Sequence, residues 1–260
     1  MNQNRTGTAL VTGASSGIGR EIARILASRG HDLVLVSRSA PKLDELKREL
    51  EASYGISAMV LPMDLSRPGA AVSVHEILKA RDIEIDILVN NAGVGYYGEV
   101  VSMPADRIEG LVMLDVVALT QLCSLFGADM KARKRGRILN VSSAAAFLPV
   151  PYAAVYSAAK SYVTKFSRAF REEMRPYGVI VTCLHPGQTR TGFFEAAGGR
   201  TVNTLMTMSA REVAESGVRA VFRGKASITT GTMNKISSLA GLVVPVKLIG
   251  WFMRRSIGRK

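Results

Sequence analysis

The sequence predicts an α/β protein built on an open, doubly wound parallel sheet. Short apolar runs recur along the 260-residue chain, helix-like stretches separate them, and the runs show little alternation of polar and apolar residues. Continuous apolar runs are typical of strands that are buried on both faces. Strands that alternate with helices form right-handed βαβ units, and these units produce a parallel sheet.

The predicted elements follow one another without an internal linker, a repeat or a low-complexity stretch. Strands are expected over Thr8–Val11, Leu33–Val36, Ile56–Leu61, Ile85–Val89, Arg137–Val141, Val179–Leu184 and Ala226–Thr229. Helices are expected over Gly17–Arg29, from Pro41 to Tyr54, and from the end of the third strand to Ala80. Three more are expected over Pro104–Arg133, Val155–Arg175 and Arg211–Arg223. Pro41 suits the first turn of its helix, where a backbone N–H has no partner in any case. We therefore expect one catalytic domain over residues 1–232 and a C-terminal helical extension over 233–260.

The composition excludes several classes of site. Hydrophobic residues make up 47% of the chain and charged residues 21%, which is enough apolar material for a large core. Cys123 and Cys183 form no CxxC motif, which indicates a reducing, cytoplasmic setting without a disulfide framework. The three histidines are scattered, so we expect no metal site. The N-terminus reaches strand-like residues within ten positions, and we expect no signal peptide.

The formal charge is +13, from 34 basic and 21 acidic residues. Such a charge favours anionic partners such as nucleotides, acidic lipids or acyl carriers, and solubility alone explains it equally well. No recognition motif accompanies the charge, so we expect no nucleic-acid partner.

A glycine-rich segment follows the first predicted strand and opens the first helix. Its phosphate-binding candidates are Gly13, Ser15, Ser16, Gly17, Ile18 and Gly19. The glycines permit a tight turn and close approach of a pyrophosphate, and the helix N-terminus offers unpaired N–H groups and a positive dipole end. Such a turn alone is weak evidence, because it also serves as an ordinary strand-to-helix connection. Its place after the first strand favours a dinucleotide site.

The end of the second strand indicates which dinucleotide. Sites for NAD(H) usually carry an acidic residue here that holds the ribose 2′-hydroxyl. This sequence has Arg38 instead, whose guanidinium suits a 2′-phosphate. We therefore expect NADP(H) rather than NAD(H).

Tyr156 and Lys160 open another helical stretch and share one helix face. A nearby ammonium favours the phenolate, so this spacing can bring a tyrosine pKa towards neutrality. Ser143 ends a buried strand thirteen residues before Tyr156. The segments Asn90–Gly93 and His185–Thr191 also follow strands, at the edge where open α/β sheets bind ligands.

These motifs together resemble the short-chain dehydrogenase/reductase family over roughly residues 6–230. TGxxxGxG, NNAG, a strand-end serine, YxxxK and PGxTxT occur in the family's order. The resemblance implies a Rossmann fold and hydride transfer between a nicotinamide and a carbonyl or alcohol. It implies that Tyr156 is the general acid or base, that Lys160 lowers the tyrosine pKa and binds the ribose, and that Ser143 bonds the substrate oxygen. The cofactor-binding residues that it implies beyond the glycine-rich segment are Asp64, Asn90, Ala92, Gly93, Pro186, Gly187, Thr189 and Thr191, together with Tyr156 and Lys160.

The sequence departs from the family pattern at one catalytic position. The family places an asparagine in the helix after the fourth strand, whereas this chain has Asp115 there. An ionised carboxylate near Lys160 would work against a tyrosinate. We count Asp115 as an altered member of the catalytic group, and we expect Asp115→Asn to preserve or raise activity.

The substrate region and the C-terminus indicate an apolar partner. Residues 192–208 supply apolar and methionine side chains, and further pocket candidates are Val94, Tyr96, Tyr97, Phe147, Leu148 and Tyr152. The apolar run in residues 233–260 is too short to span a bilayer. It suits peripheral membrane contact, a pocket lid or a dimer contact. We expect an apolar ketone or 3-oxoacyl substrate and a homodimer or homotetramer; the alternative is a nucleotide-binding regulatory or scaffold protein on the same fold.

Overall fold

The computed structural model describes residues 6–198, 207–231 and 246–257, with side chains described as far as Trp251 in the last helix. Seven parallel strands form one sheet in the order β3-β2-β1-β4-β5-β6-β9. These strands are β1 (Thr8–Thr12), β2 (Asp32–Ser37), β3 (Ala58–Pro62), β4 (Ile85–Asn90), β5 (Gly136–Val141), β6 (Val179–His185) and β9 (Ser227–Thr229). The strand order reverses between β1 and β4, so the carboxyl ends of these two strands form the switch point of the sheet. The parallel sheet confirms the predicted Rossmann fold.

A second pairing was not predicted. Two short parallel strands, β7 (Thr189–Arg190) and β8 (Met208–Ser209), join the segment after β6 to the start of a later helix. They fix the ends of the segment that was expected to bind substrate. Residues 199–206 of that segment lie outside the described residues.

Helices cover both faces of the sheet. They are α1 (Gly17–Ala27), α2 (Ala40–Tyr54), α3 (Ala70–Lys79), α4 (Ala105–Val112), α5 (Leu119–Ala132), α6 (Ala154–Met174), α7 (Phe193–Ala196), α8 (Ala210–Phe222) and α9 (Val246–Ile257). Each face of the sheet carries its own apolar core, one against α1, α2 and α8 and the other against α3, α5 and α6. Strands buried between two such layers need apolar side chains on both faces, which explains their continuous apolar runs.

The helix predicted over Pro104–Arg133 contains a π-helical turn, Met113–Ala118, between α4 and α5. The stretch Ala105–Ala132 is long enough to cross a membrane and contains an 18-residue window with a mean hydropathy of 1.9. Here Leu119, Leu122 and Phe126 are buried in the core beneath the sheet, which accounts for the apolar composition. A π-turn inserts an extra residue per turn and is frequent at functional sites. In this protein it carries Asp115.

The segment 233–260, predicted as a helical extension, is described in part. Helix α9 has 12 residues. Residues 232–245 and 258–260 lie outside the described residues, and the boundary at residue 232 stays a prediction.

Candidate active site

The glycine-rich turn leads directly from β1 into α1. Gly13 and Gly17 have φ angles of +65° and +55°, a backbone conformation that favours glycine. A Cβ on Gly17 would lie 3.2 Å from the Thr191 methyl group, so the end of the β6 loop closes over the turn. Ser16 precedes α1 and makes no side-chain capping bond, which leaves the first N–H groups of the helix directed at this edge. The remaining predicted members, Ser15, Ile18 and Gly19, lie in the same turn.

Two residues of the strand ends hold that turn in place, and sequence reasoning named neither as functional. The Asn91 amide donates to the carbonyls of Thr12, at 3.0 Å, and Gly13, at 3.3 Å. The Thr12 hydroxyl accepts from the N–H groups of Asn91, at 2.9 Å, and Ala92, at 3.0 Å. Thr12 belongs to the TGxxxGxG motif and Asn91 to the NNAG segment, so both could have been recognised from the sequence.

The predicted cofactor residue Asn90 has a different environment. Its amide nitrogen donates to the Asn140 side chain at 2.9 Å and lies 3.2 Å from the Cys123 sulfur, and Asn90 is buried. Asn140 in turn donates to Ser167 at 2.9 Å. The Asn90 side chain therefore ties β4 to β5 and α6 beneath the edge, and Asn91 is the asparagine whose side chain meets the glycine turn.

The residues predicted to bind the adenosine half, Arg38 and Asp64, follow the ends of β2 and β3. Arg38 is exposed, and the preceding Ser37 hydroxyl is buried without a hydrogen-bond partner among the described residues. Asp64 accepts from the Ser66 N–H at 3.1 Å and hydroxyl at 2.7 Å. Burial opposes ionisation of Asp64, but the Ser66 bonds and the nearby Arg38 outweigh it and lower its pKa. An orphan hydroxyl beside an exposed guanidinium fits a polar, anionic group.

The loop after β6 completes the edge. The Pro186 carbonyl accepts from the Ala144 N–H at 2.8 Å, which joins this loop to the segment that follows Ser143. The Thr189 hydroxyl donates to the Gly187 carbonyl at 2.9 Å, so it stabilises the bend of the loop. Thr191 lies against the glycine turn, and its contact with the cofactor stays a prediction.

The structure brings three of the four predicted catalytic residues, Ser143, Tyr156 and Lys160, to the same edge of the sheet. Ser143 follows β5 and caps a short 3₁₀ turn by accepting from the Ala145 N–H at 3.1 Å. Tyr156 lies in the first turn of α6 and is 8% exposed. Lys160 lies one turn further on, with its ammonium 5.8 Å from the centre of the Tyr156 ring.

Asp115 is buried and paired with Lys160. The distance from its Oδ2 to the lysine Nζ is 2.9 Å, and its Oδ1 accepts from the Val94 N–H at 2.9 Å. Lys160 also donates to the Val141 carbonyl at 3.2 Å. A Cβ on Gly93 would lie 3.0 Å from the lysine Nζ, so the backbone after β4 closes over the pair. Asp115 therefore links the π-turn, the lysine and the Gly93–Val94 backbone.

The pKa values of these groups reflect burial and mutual charge. Burial raises the pKa of Tyr156, and the Asp115 charge adds to the rise, while Lys160 and Ser143 oppose it. Burial also raises the pKa of Asp115, although Lys160 favours its ionised form. For Lys160, burial lowers the pKa, but Asp115 and Tyr156 outweigh it and the net direction is upward. Lys160 is thus held in its ammonium form by the Asp115 carboxylate and the Tyr156 phenol.

Aromatic side chains form a wall beside Tyr156. The Tyr156 and Phe193 rings are 5.6 Å apart, and Phe194 stacks on Tyr97 at 5.9 Å. The Tyr97 N–H donates to the Ala197 carbonyl at 2.9 Å, which fastens α7 to the segment after β4. The predicted pocket residue Phe147 instead packs on the buried His185 ring at 4.7 Å. The Phe193 ring therefore lies beside the Tyr156 ring, and the apolar substrate pocket stays a prediction.

Comparison with known proteins agrees with this arrangement. The family model for the short chain dehydrogenases matches residues 7–200. An uncharacterized oxidoreductase of Myxococcus xanthus is 31% identical over 248 residues, which cover 95% of this chain and 96% of that protein. A very-long-chain 3-oxoacyl-CoA reductase of Phaeosphaeria nodorum is 36% identical over 181 residues, 68% of this chain and 53% of that protein. The chain thus spans about half the length of that reductase.

Solved structures share the fold over nearly the whole chain. A short-chain dehydrogenase from Sphingobium yanoikuyae in complex with NADPH superposes with a TM-score of 0.83 at 33% identity, covering 91% of this chain and 93% of that one. A bulky-bulky ketone specific alcohol dehydrogenase from Comamonas testosteroni gives 0.79 at 29% identity, covering 91% and 92%. Fold and site together define a protein of the Rossmann class, with its site at the switch point of a parallel sheet. The chain belongs to the short-chain dehydrogenase/reductase family.

Proposed function

We propose that this protein is an NADP(H)-dependent reductase of apolar ketones or 3-oxoacyl compounds, with Tyr156 as the proton donor. The observation that carries the proposal is the position of Ser143, Tyr156 and Lys160 at the same sheet edge as the glycine turn. The alternative, a regulatory or scaffold protein, needs only the nucleotide site. It gives no reason for a serine, a phenol and an ammonium to converge beneath an apolar wall.

The glycine turn and the residues at the end of β2 suit a phosphorylated dinucleotide. The turn from Gly13 to Gly19 would hold the pyrophosphate, because a side chain at Gly17 would fill the space against Thr191. Arg38 and the unpartnered Ser37 hydroxyl would hold the 2′-phosphate and ribose of the adenosine half. A reduced nicotinamide, when bound, supplies the hydride for the carbonyl carbon. The NADPH complex of the Sphingobium relative supports the same cofactor for this chain.

The chain's own residues supply the proton. In reduction, Ser143 would donate a hydrogen bond to the carbonyl oxygen, and Tyr156 would transfer its phenolic proton to that oxygen as negative charge develops there. Lys160 would stabilise the resulting tyrosinate by its positive charge. In the reverse direction the tyrosinate would accept the alcohol proton. The apolar wall around Phe193 excludes water from this transfer.

The apolar wall also supports the substrate class. Long acyl chains and bulky ketones both require a large apolar surface beside the carbonyl, and relatives named for each of these substrates are similar to this chain. We propose a carbonyl compound with apolar groups rather than a sugar or a small polar acid. The active form is proposed to be a homodimer or homotetramer in the cytoplasm.

The test is oxidation of NADPH with a panel of ketones, 3-oxoacyl esters and steroids, followed by the absorbance of the reduced nicotinamide. Tyr156→Phe should lower kcat by about 100-fold or more, because general acid catalysis contributes at least that factor, with NADPH affinity retained. Tyr162→Phe is the matched control, since Tyr162 is exposed on the same helix and bonds Thr120 at 3.0 Å. Equal activity of both variants would contradict the assignment of Tyr156.

The cofactor assignment has its own test. Arg38→Glu should raise KM for NADPH far more than KM for NADH, because it places negative charge beside the 2′-phosphate. Arg48→Glu, at an exposed position on α2, is the control for net charge. An equal effect of Arg38→Glu on both cofactors would overturn the assignment. NADPH binding without turnover of any carbonyl compound would favour the regulatory alternative.

A further inference from the structure

Exposed apolar side chains are concentrated at one place on the described surface. Nine large hydrophobic residues of the described chain are exposed, and five of them belong to two neighbouring segments: Val100, Val101, Val246, Leu248 and Trp251. Val101 is 92% exposed, and Leu248 and Trp251 are each about half exposed. We call these five residues the apolar rim. A contiguous exposed apolar patch on a soluble protein marks an interaction site.

The rim surrounds a groove. The groove has a volume of about 440 Å³ and lies between the Val100–Ser102 turn, Pro151, Tyr152 and the first turn of α9. Gly250 faces Pro151, so α9 packs its backbone side against the body of the protein. Trp251 remains half exposed beside this contact. Helix α9 therefore presents apolar side chains outward while it is anchored to the domain.

The rim is joined to the active site by a short segment. Residues 94–101 run from the Val94 N–H, which bonds Asp115, to the exposed Val101. Midway, Tyr97 stacks on Phe194 at 5.9 Å and the Gly98 N–H donates to the Tyr152 carbonyl at 2.8 Å. One end of the segment thus contacts the catalytic group, and the other end forms the rim. A ligand on the rim lies at the outer end of the apolar wall.

The sequence of α9 and of the residues after it is cationic. The sequence contains no acidic residue after Glu215, and residues 246–260 carry five cations: Lys247, Arg254, Arg255, Arg259 and Lys260. Lys247 lines the groove beside Val246, and Glu99 is the acidic residue on the opposite side. Cations beside exposed apolar and tryptophan side chains are the composition of a helix that lies in a membrane interface. A helix of 12 residues is too short to span a bilayer.

We infer that the apolar rim docks this protein on anionic phospholipid membranes, with α9 lying in the interface. Val101, Leu248 and Trp251 would enter the boundary between headgroups and acyl chains, and Lys247 would contact the lipid phosphates. Docking would place the outer end of the apolar wall at the bilayer, where apolar carbonyl compounds partition. This last step rests on the proposed function, whereas membrane docking itself does not.

The test is co-sedimentation of the full chain with vesicles. The wild type should bind vesicles of phosphatidylcholine mixed with phosphatidylglycerol at least tenfold more tightly than vesicles of phosphatidylcholine alone, and added salt should weaken the binding. The variant Val101→Asp/Leu248→Asp should lose at least tenfold in affinity for the anionic vesicles. Val72→Asp is the matched control, because Val72 is an exposed valine on α3, away from the rim, and should leave binding unchanged.

Equal binding to both kinds of vesicle would overturn the inference, and so would unchanged binding of the double variant. A change in the oligomeric state of the double variant on gel filtration would also overturn it, because the rim would then be a contact between copies of the chain. Turnover of the carbonyl compounds of the substrate panel, measured without vesicles, separates docking from catalysis. The double variant should retain that turnover. Absence of turnover in the wild type would refute the proposed function and leave the vesicle result to decide docking.

Discussion

Replacing Asp115 with asparagine removes a charge and keeps the size of the side chain. Asp115 uses two oxygens, one for the Lys160 ammonium and one for the Val94 N–H, each at 2.9 Å. An asparagine has one oxygen and one amide group. It can therefore accept from one of these donors, and its own N–H group would face the other.

The structure sets the size of the loss in stability. Lys160 is 3% exposed, and without the carboxylate its ammonium keeps only the Val141 carbonyl at 3.2 Å among the hydrogen bonds that the structure describes for it. Removal of one partner from a buried ion pair costs about 3–5 kcal/mol. Because the amide preserves shape and one hydrogen bond, we expect about 3 kcal/mol at neutral pH, near the lower end of that range. The corresponding fall in Tm is about 6–12 °C.

The same substitution should shift the pH dependence of catalysis. The Asp115 charge raises the pKa of Tyr156, so its removal lowers that pKa. In alcohol oxidation, where the tyrosinate is the base, the rising limb of kcat/KM should move to lower pH. In carbonyl reduction, where the phenol is the acid, the falling limb should also move to lower pH. Activity per folded molecule at neutral pH is then preserved or raised in oxidation.

Urea unfolding and pH–rate profiles of the purified variant measure both effects. Asp106→Asn is the control, because Asp106 is exposed in the first turn of α4 and precedes the π-turn. Unchanged stability of Asp115→Asn would refute the ion-pair argument. Movement of either limb to higher pH would refute the electrostatic argument, since it would show that Lys160 had lost its charge and no longer favoured the tyrosinate.

Three further predictions concern other parts of the fold. Burial lowers the pKa of His185 from 6.5 to about 4, so the folded state resists protonation there. The free energy of unfolding should fall by about 3 kcal/mol as the pH drops from the pKa of His185 in the unfolded chain to its pKa in the folded protein. In urea titrations at several pH values, His185→Gln should lack this contribution to the acid-induced loss of stability. Gly17→Ala should weaken NADPH binding in fluorescence titrations, because the left-handed backbone and the Thr191 methyl both oppose a Cβ. Ser209→Ala should destabilise the protein by about 1 kcal/mol, because Ser209 and Glu212 form a capping box at α8.

Each of these has an outcome that would contradict it. An identical acid titration for the wild type and His185→Gln would show that other groups cause the fall. Unchanged NADPH affinity of Gly17→Ala would place the pyrophosphate elsewhere. A stability of Ser209→Ala equal to that of the wild type would mean that water replaces the cap.

Much of the fold was predictable from local pattern. Strand and helix periods are properties of neighbouring residues, so the seven strands and the alternating helices were found close to their observed bounds. The glycine turn and the spacing of Ser143, Tyr156 and Lys160 are also local, and they fall at one sheet edge because parallel strands all end on the same side. Asp115 was recognised because it stands where the family has an asparagine.

Other features depended on contacts between distant segments. Asn90 and Asn91 are adjacent, and the alternation of a strand directs one into the core against Asn140 and the other to the glycine turn. The choice between them follows from strand register, which sequence alone left open. The burial of Ser37, the packing of Phe147 on His185 and the anchoring of α9 beside Val100 likewise depend on three-dimensional neighbours.

The sequence by itself thus determined the fold class, the sheet edge that carries the site and the residue types that act there. The tertiary structure added the contacts that hold those residues: the Asp115 bond to the Val94 N–H, the Phe193 ring beside Tyr156, and the apolar rim at the outer end of the apolar wall. The physical reason is that backbone periodicity acts over a few residues, whereas burial and charge pairing depend on which side chains the folded chain brings within a few ångströms of one another.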